Sequence, residues 1–348
     1  MNTKKIKAVF SSIGLPRIII FVFLVALCIG TAALGLNFSS SFSDVLGRIG
    51  MNGIFVLAMV PAIKCGIGLN FGLALGIIGG ILGALISIEF GLTGSSAFLL
   101  AMIIGAVLSS IIGALYGMLL NRVKGSEMTV STYVGFSFVA LMNIGWLVLP
   151  FKSPAMGWQL GTGLRTTISL ESTFEKILSN LWSITTKSGV TIPVGEFAFI
   201  LLGCLIVYLF FKSKLGSAVA AAGSNPEFAK AGGINVNKMR IIGTSMSMAL
   251  AAIGIIVYAQ SFGFIQLYNA PQYMSFPAVA AILIGGASIN KVRISHVIIG
   301  VILFQGVITL GLPVANKLIP EGQLSEVLRL IISNGIIIYA LSKAKGGK

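Results

Sequence analysis

The sequence predicts an all-α, polytopic membrane protein with about ten transmembrane helices, some short or broken, and both termini on the inner side. Three observations carry that expectation. Of the 348 residues, 56% are hydrophobic and only 9% are charged, with a mean hydropathy of +1.00, whereas soluble domains carry about a quarter charged residues. Apolar runs recur along the whole chain at lengths near the ~20 residues a helix needs to cross hydrocarbon. The 43 glycines follow no collagen period, and small residues are what let spanning helices approach one another closely.

The runs begin near Arg17, Ile49, Gly72, Phe98, Thr129, Val194, Arg240, Phe276, Ser295 and Ser325. The first extends from about Arg17 to Leu36 without a small-residue cleavage signal, so it reads as a span rather than a removable leader. The second, third and eighth are short. Their glycine-rich neighbours (Gly66, Gly68 and Gly72; Gly285 and Gly286) predict broken or partly crossing helices. Irregular backbone survives at that depth only where protein covers it or where it lines a wet cavity. With the N-terminus inside and ten alternating spans, only Arg48, Lys152, Arg165, Lys176, Lys187, Lys317 and Arg329 of the 24 basic residues fall outside. That asymmetry is what the positive-inside rule demands. The net charge of +15 therefore reads as orientation in a bilayer. Nucleic-acid binding is excluded, because the cations form no stripe with interleaved aromatics.

The chain reads as a single transmembrane domain over 1–348, with two connections too long to be simple turns. The outer one, 151–193, holds Trp158, Phe174, Trp182, Glu171 and Glu175, and is expected to fold as a small extracellular cap. The inner one, 212–239, carries a helix-start signal at Ser224–Asn225–Pro226–Glu227: a side-chain cap, a first-turn proline and an acid near the positive helix end. A short helix from about Glu227 to Ala231 should follow and stop at Gly232–Gly233. A plain surface loop is the alternative.

Other chemistry finds little support. Cys28, Cys65 and Cys204 fit no zinc or redox spacing, and His296 is the single histidine, so no metal site is expected. Met246 and Met248 lie two apart and do not share a helix face. Span centres are uncharged, which argues against an ion-coupled carrier. Acids occur singly, which argues against an intramembrane enzyme. No G-x-x-x-x-G-K-[ST] phosphate loop occurs, so work must come from another chain.

GSNPEFAKAGGINVNKMR and the later SFPAVAAILIGGASINKVRISHVIIGVILFQGVI resemble the permease subunits of ABC importers for ribose, galactose, other simple sugars and nucleosides. In that family the inner segment runs close to G-x-N-P-x-A-A-x-x-x-G-I-x-V and forms a coupling helix that docks into the ATP-binding subunit. Gly223, Asn225, Pro226, Ala229, Gly233, Ile234 and Val236 stand at matching positions, while Phe228 replaces an alanine. The stretch Ala278–Ser288 matches the family's A-x-A-A-x-x-x-G-G-x-S. The sugar branch's G-x-D-L-S-x-G has become GIGLNFG at Gly66–Gly72, with Gly68 for the acid and Asn70 for the serine. GSEMTVST (Gly125–Thr132) and GTGLRTTISL (Gly161–Leu170) look more like the nucleoside-type branch.

The resemblance implies an importer permease in a bacterial cytoplasmic membrane, moving a small neutral polar solute inward, a nucleoside before a simple sugar. It implies ATPase partners that use ATP and Mg, a second permease of the same or a homologous chain, and an extracytoplasmic solute-binding lipoprotein. This chain itself needs no cofactor. It also implies ATPase coupling through Asn225, Pro226, Glu227, Phe228, Ala229 and Gly233. Polar and aromatic side chains in glycine-flexed spans are the candidates for the path: Asn70, Phe71, Ser131, Thr132, Tyr133, Asn143 and Gln305. Each polar one has the alternative of an interhelical hydrogen bond. Lys64, beside a glycine-rich break, is expected to snorkel to the inner surface.

Overall fold

The computed structural model describes residues 15–158 and 163–318, together with 334, 335 and 338. Twelve helices and four three-residue strands occur among them. Nine apolar helices answer to the first nine expected spans: α1 (Leu15–Ala33), α2 (Phe38–Lys64), α3 (Leu73–Glu89), α4 (Gly94–Arg122), α5 (Glu127–Val148), α7 (Val194–Lys212), α10 (Val236–Phe262), α11 (Ala270–Ile284) and α12 (Ile294–Leu318). Six are long and apolar enough to cross a membrane, and α1, α3 and α11 are shorter. The tenth expected span, from Ser325, lies outside the described residues. One expectation is corrected. α2 is not short but 27 residues long, because the polar-looking stretch from Phe38 to Arg48 is helical and capped by Asn37, whose side chain accepts from the Ser40 amide.

The helices α2, α3 and α10 are buried on most sides; α2 is enclosed all round from Gly53 to Ile63. Glycine makes that crowding possible. On α3, Gly76 and Gly80 face α10, where a Cβ would come within 2.6 Å of the Met248 and Ala252 carbonyl oxygens respectively. Gly83 faces α4, with the Ala101 oxygen and the Gly105 Cα both 2.6 Å from the same hypothetical atom. Gly113 and Gly117 of α4 meet Ser245 and Ile241 of α10 in the same way. Five small residues thus let three helices touch backbone to backbone, where dispersion and close dipoles replace the hydrophobic drive that lipid cannot supply. By contrast the outward faces of α4 and α7 present Leu99, Ile103, Val107, Leu201 and Leu205, all exposed, the surface a bilayer would cover.

Both long connections are folded. In 151–193, strand β1 (Thr167–Ser169) pairs antiparallel with β4 (Phe264–Gln266), and after the short helix α6 (Ile177–Asn180) strand β2 (Ser183–Thr185) pairs antiparallel with β3 (Thr191–Pro193). The all-α expectation is corrected to this extent. Met156, Ile168, Leu170 and Phe174 are buried beneath the segment, whereas Trp158 and Trp182 are exposed. The Glu89 carboxylate, at the end of α3, accepts from the amides of Lys152 and Ser153 and so ties the segment's start to the bundle. At the opposite end the connection forms two helices, α8 (Lys214–Ser224) and α9 (Pro226–Ala231). A mostly buried Arg240–Glu127 ion pair holds the starts of α10 and α5 together there.

Replacing Gly80 with valine is expected to cost about 1–3 kcal/mol or more of stability, because backbone rather than a mobile side chain must give way. Gly47, in α2 with nothing within 4 Å of a Cβ, should tolerate alanine and gain about 0.5–1 kcal/mol. Denaturant or thermal unfolding in detergent measures both.

Candidate functional site

The turn between α2 and α3 is the first irregular backbone in the bundle. Gly66 and Gly68 adopt φ +82° and +86°, the left-handed region that a side chain disfavours. Gly66 is exposed, but Ile67–Asn70 and Gly72 are buried, so their polar groups need protein partners. The Ile67 amide donates to the Ala62 carbonyl, and Asn70 serves the far end of the turn. Its Oδ1 accepts from the Gly72 amide at 3.1 Å and the Tyr116 hydroxyl at 3.2 Å, while its Nδ2 donates to Ser247 Oγ at 3.1 Å. Ser247 in turn donates to the Ala58 carbonyl at 2.7 Å. One amide therefore ties the break to α2, α4 and α10.

The expected path residues differ in where they sit. Asn70 is fully buried and its hydrogen bonds are made within the protein. Ser131 is likewise fully buried and donates to the Met128 carbonyl at 2.8 Å. Tyr133 is 69% exposed and pairs with no other ring. Gln305 is mostly buried in α12, which packs on α1, α2 and α11. Three expected residues remain half-exposed near one another. The Phe71 ring packs at a tilt against that of Phe276, 5.7 Å between centroids, and Phe276 likewise against Phe136 at 5.8 Å. Thr132 and Asn143 lie one turn before and two turns after Phe136 on α5, the spacing that shares a helix face. The Oδ1 of Asn143 is buried and accepts no hydrogen bond among the described residues. Phe136 and Phe276 were not expected. Their signal, aromatics on two different spans, acquires meaning only once the helices are packed.

The inner connection follows its local code. Asn225 is extended (φ −148°, ψ 92°) and its side chain accepts from the Phe228 amide at 3.0 Å; Pro226 fills the first helical position and Glu227 the first turn. The helix stops after Ala231, with Gly233 at φ +80°. Ala229 is buried against the bundle, whereas Phe228 is 75% exposed. The preceding helix α8 was missed by the sequence reading, although its alanine run is strongly helix-forming and Ser213 caps it by accepting from the Gly216 amide. Its penultimate residue, Gly223, touches the break: a Cβ there would lie 2.6 Å from the Gly66 nitrogen and 2.7 Å from the Cys65 carbonyl carbon. A continuous contact thus runs from α9 through α8 to the backbone that carries Asn70 and Phe71. Among the described residues no cluster of His, Cys, Asp and Glu could hold a metal ion.

A bundle with six helices long and apolar enough to cross a membrane, together with three shorter apolar ones, is the architecture of a multi-pass membrane protein. The chain belongs to the family of the branched-chain amino acid transport system / permease component, whose profile matches residues 18–341. It is 29% identical over 160 residues to the probable ABC transporter permease protein YphD of Escherichia coli K12, covering 44% of this chain and 47% of that protein. It is 30% identical over 203 residues to the autoinducer 2 import system permease protein LsrC of Shigella flexneri, covering 57% and 54%. The LsrC protein of Yersinia pestis strain Pestoides F is 29% identical over 181 residues, 50% of each chain. The chain thus spans about half the length of these relatives. No solved structure matches it at a significant level. The resemblance to ABC permeases read from the sequence therefore holds.

Asn70→Ala is expected to destabilise the protein by about 1–3 kcal/mol for each buried partner left unpaired. Tyr133→Ala, at an exposed position, should stay within about 0.5 kcal/mol. Thermal unfolding of the two purified variants compares them; equal losses would contradict the assignment of Asn70 to the break.

Proposed function

We propose that this chain is the membrane-embedded permease subunit of an ABC importer, a transporter subunit and not an enzyme, which moves a small neutral polar solute inward with work from a separate ATPase. The observation that carries the reading is the α9–α8–Gly66 contact, in a chain of this family: an exposed helix is mechanically continuous with the backbone break beside the aromatic cluster. Asn225 and Pro226 pre-form the helix, Ala229 and Gly233 seat it, and Glu227 and Phe228 meet the ATPase. The exposed Phe228 in place of a small residue gives that contact an apolar anchor, the kind of side chain that dominates interface energies. ATP and Mg belong to the partner. Closure of two nucleotide-loaded ATPases would displace α9 in each of two permeases, identical or homologous, and shift the Gly66–Gly72 break with it.

Orientation follows from charge. Lys212, Lys214, Lys230, Lys238, Lys291 and Arg293 are exposed at the α9 end, so that end faces the cytoplasm of a bacterial inner membrane. The folded segment 151–193 then faces outward, where an extracytoplasmic solute-binding lipoprotein would deliver its cargo. A tenth crossing from Ser325, as the apolar run there suggests, would place both termini inside.

The candidate path is made of Phe71, Phe136 and Phe276, with Thr132 and the unpaired Asn143 amide oxygen. Rings and amides without an ionised group suit a neutral solute with a flat face and hydroxyls. The naming of two relatives for autoinducer 2 import makes a simple sugar or sugar-like solute at least as good a reading as the nucleoside indicated by Gly125–Thr132.

Replacing residues 227–231 by a glycine-serine stretch is expected to abolish both transport and co-purification of the ATPase, with normal membrane insertion. Co-purification from membranes in which this chain is expressed together with its ATPase tests it. Undiminished ATPase binding would overturn the assignment of α9.

A further inference from the structure

The end of the bundle that carries α9 also holds a crevice of about 340 Å³ between the last turns of α2 and α7 and the start of α12. α7 and α12 each pack on α2 but not closely on one another, which leaves a gap over the end of α2. Three cations, Lys64, Lys212 and Arg293, line it beside Val60, Tyr208 and Ile294. None of the three is ion-paired among the described residues, whose salt bridges are Lys176–Glu175 and Arg240–Glu127. Lys64 Nζ sits 4.2 Å from the centroid of the Phe211 ring, and Lys212 Nζ 5.6 Å from that of Tyr208. Aromatic faces of this kind hold ammonium groups in place. They keep both amines at the crevice and do not neutralise them. A concentration of positive charge with no internal counter-ion calls for an external anion.

The walls say which anion. On α7, Leu201, Leu205 and Tyr208 lead to Lys212 along one helix face and are all about half exposed; on α12, Ile298 and Ile302 continue the face of Ile294 and are exposed too. Two apolar tracks therefore run from the cationic crevice toward the middle of the membrane. A soluble phosphate would use the charges and leave the tracks bare, whereas a phospholipid uses both. We propose that this crevice binds the headgroup of an anionic phospholipid of the inner leaflet, with its phosphate among Lys64, Lys212 and Arg293 and its acyl chains along α7 and α12. Basic recesses between helices on the cytoplasmic side are the usual place for such recognition. The site adjoins the coupling route, because Lys64 is the last residue of α2 and Cys65–Gly66 meet Gly223. A bound headgroup braces the turn on which α8 and α9 rest.

The test uses the full chain purified with its native lipid and transferred to nanodiscs of phosphatidylcholine with a fraction of phosphatidylglycerol, and reads retained lipid by native mass spectrometry. Wild type should retain phosphatidylglycerol selectively. The Lys64→Gln/Lys212→Gln/Arg293→Gln variant should lose on the order of tenfold or more of that preference, given three lost cations. A charge-matched control, Lys214→Gln/Lys230→Gln/Lys238→Gln, should keep it. Lys64→Arg, which preserves the charge, should also keep it and reports on the crevice if the triple variant folds poorly. Equal retention in wild type and the triple variant would overturn the proposal, as would an equal loss in the charge-matched control. Protection of the wild-type protein against heating by inorganic phosphate as strong as that by phosphatidylglycerol would instead identify a soluble anion and overturn the lipid assignment.

Discussion

A backbone break inside a hydrocarbon environment has to find every hydrogen-bond partner within the protein, because no water reaches it. Here the buried part of the break, Ile67–Gly72, meets that constraint through the Ala62 carbonyl, which accepts from the Ile67 amide, and through Asn70, whose amide is shared among Gly72, Tyr116 and Ser247. Tyr116 lies on α4 and Ser247 on α10, Ser247 bonds on to Ala58 of α2, and Gly72 opens α3, so satisfying the break also helps fix how α2, α3, α4 and α10 sit together. Remove the amide and the loss is not one contact but the register of four elements.

Glycine supplies the other half of the arrangement. Gly76 and Gly80 on one side of α3, and Gly83 on the other, bring α10 and α4 near enough for Tyr116 and Ser247 to reach Asn70. The same device recurs beneath, where Gly223 of α8 lies directly against Gly66. A side chain at either position would hold the inner helices away from the break. The contact between α8 and the break is therefore a steric consequence of two residues with no Cβ. On the proposed reading it lets a short, exposed helix bear on the half-exposed aromatic cluster without any charged relay between them.

What was legible in the sequence follows the range of each signal. The cap of α9 was readable to the residue, because Asn225, Pro226 and the glycines act on their immediate neighbours. Spans were readable as apolar runs, yet α2 begins eleven residues before its apolar stretch because capping by Asn37 and packing outweigh the polar composition from Ser39 to Arg48. The strand pair β1–β4 was invisible, since its two partners are far apart in the chain and each is three residues long. The surroundings of the candidate path residues were the least legible. That Phe136 meets Phe276 while Tyr133 stays exposed depends on the rotation of α5 about its own axis, and the bonds of Asn70 depend on Tyr116 and Ser247 arriving from elsewhere. Composition cannot report either.

The proposed reading is of a membrane passage that receives its work from a separate ATPase through α9 at one end. Its most direct test is to reconstitute the purified chain alone in sealed liposomes with a labelled aldopentose or nucleoside inside a solute gradient. The account predicts no concentrative uptake with or without ATP, and restoration of uptake only when the ATPase and binding protein are added. Sustained accumulation against the gradient by the lone chain would contradict it.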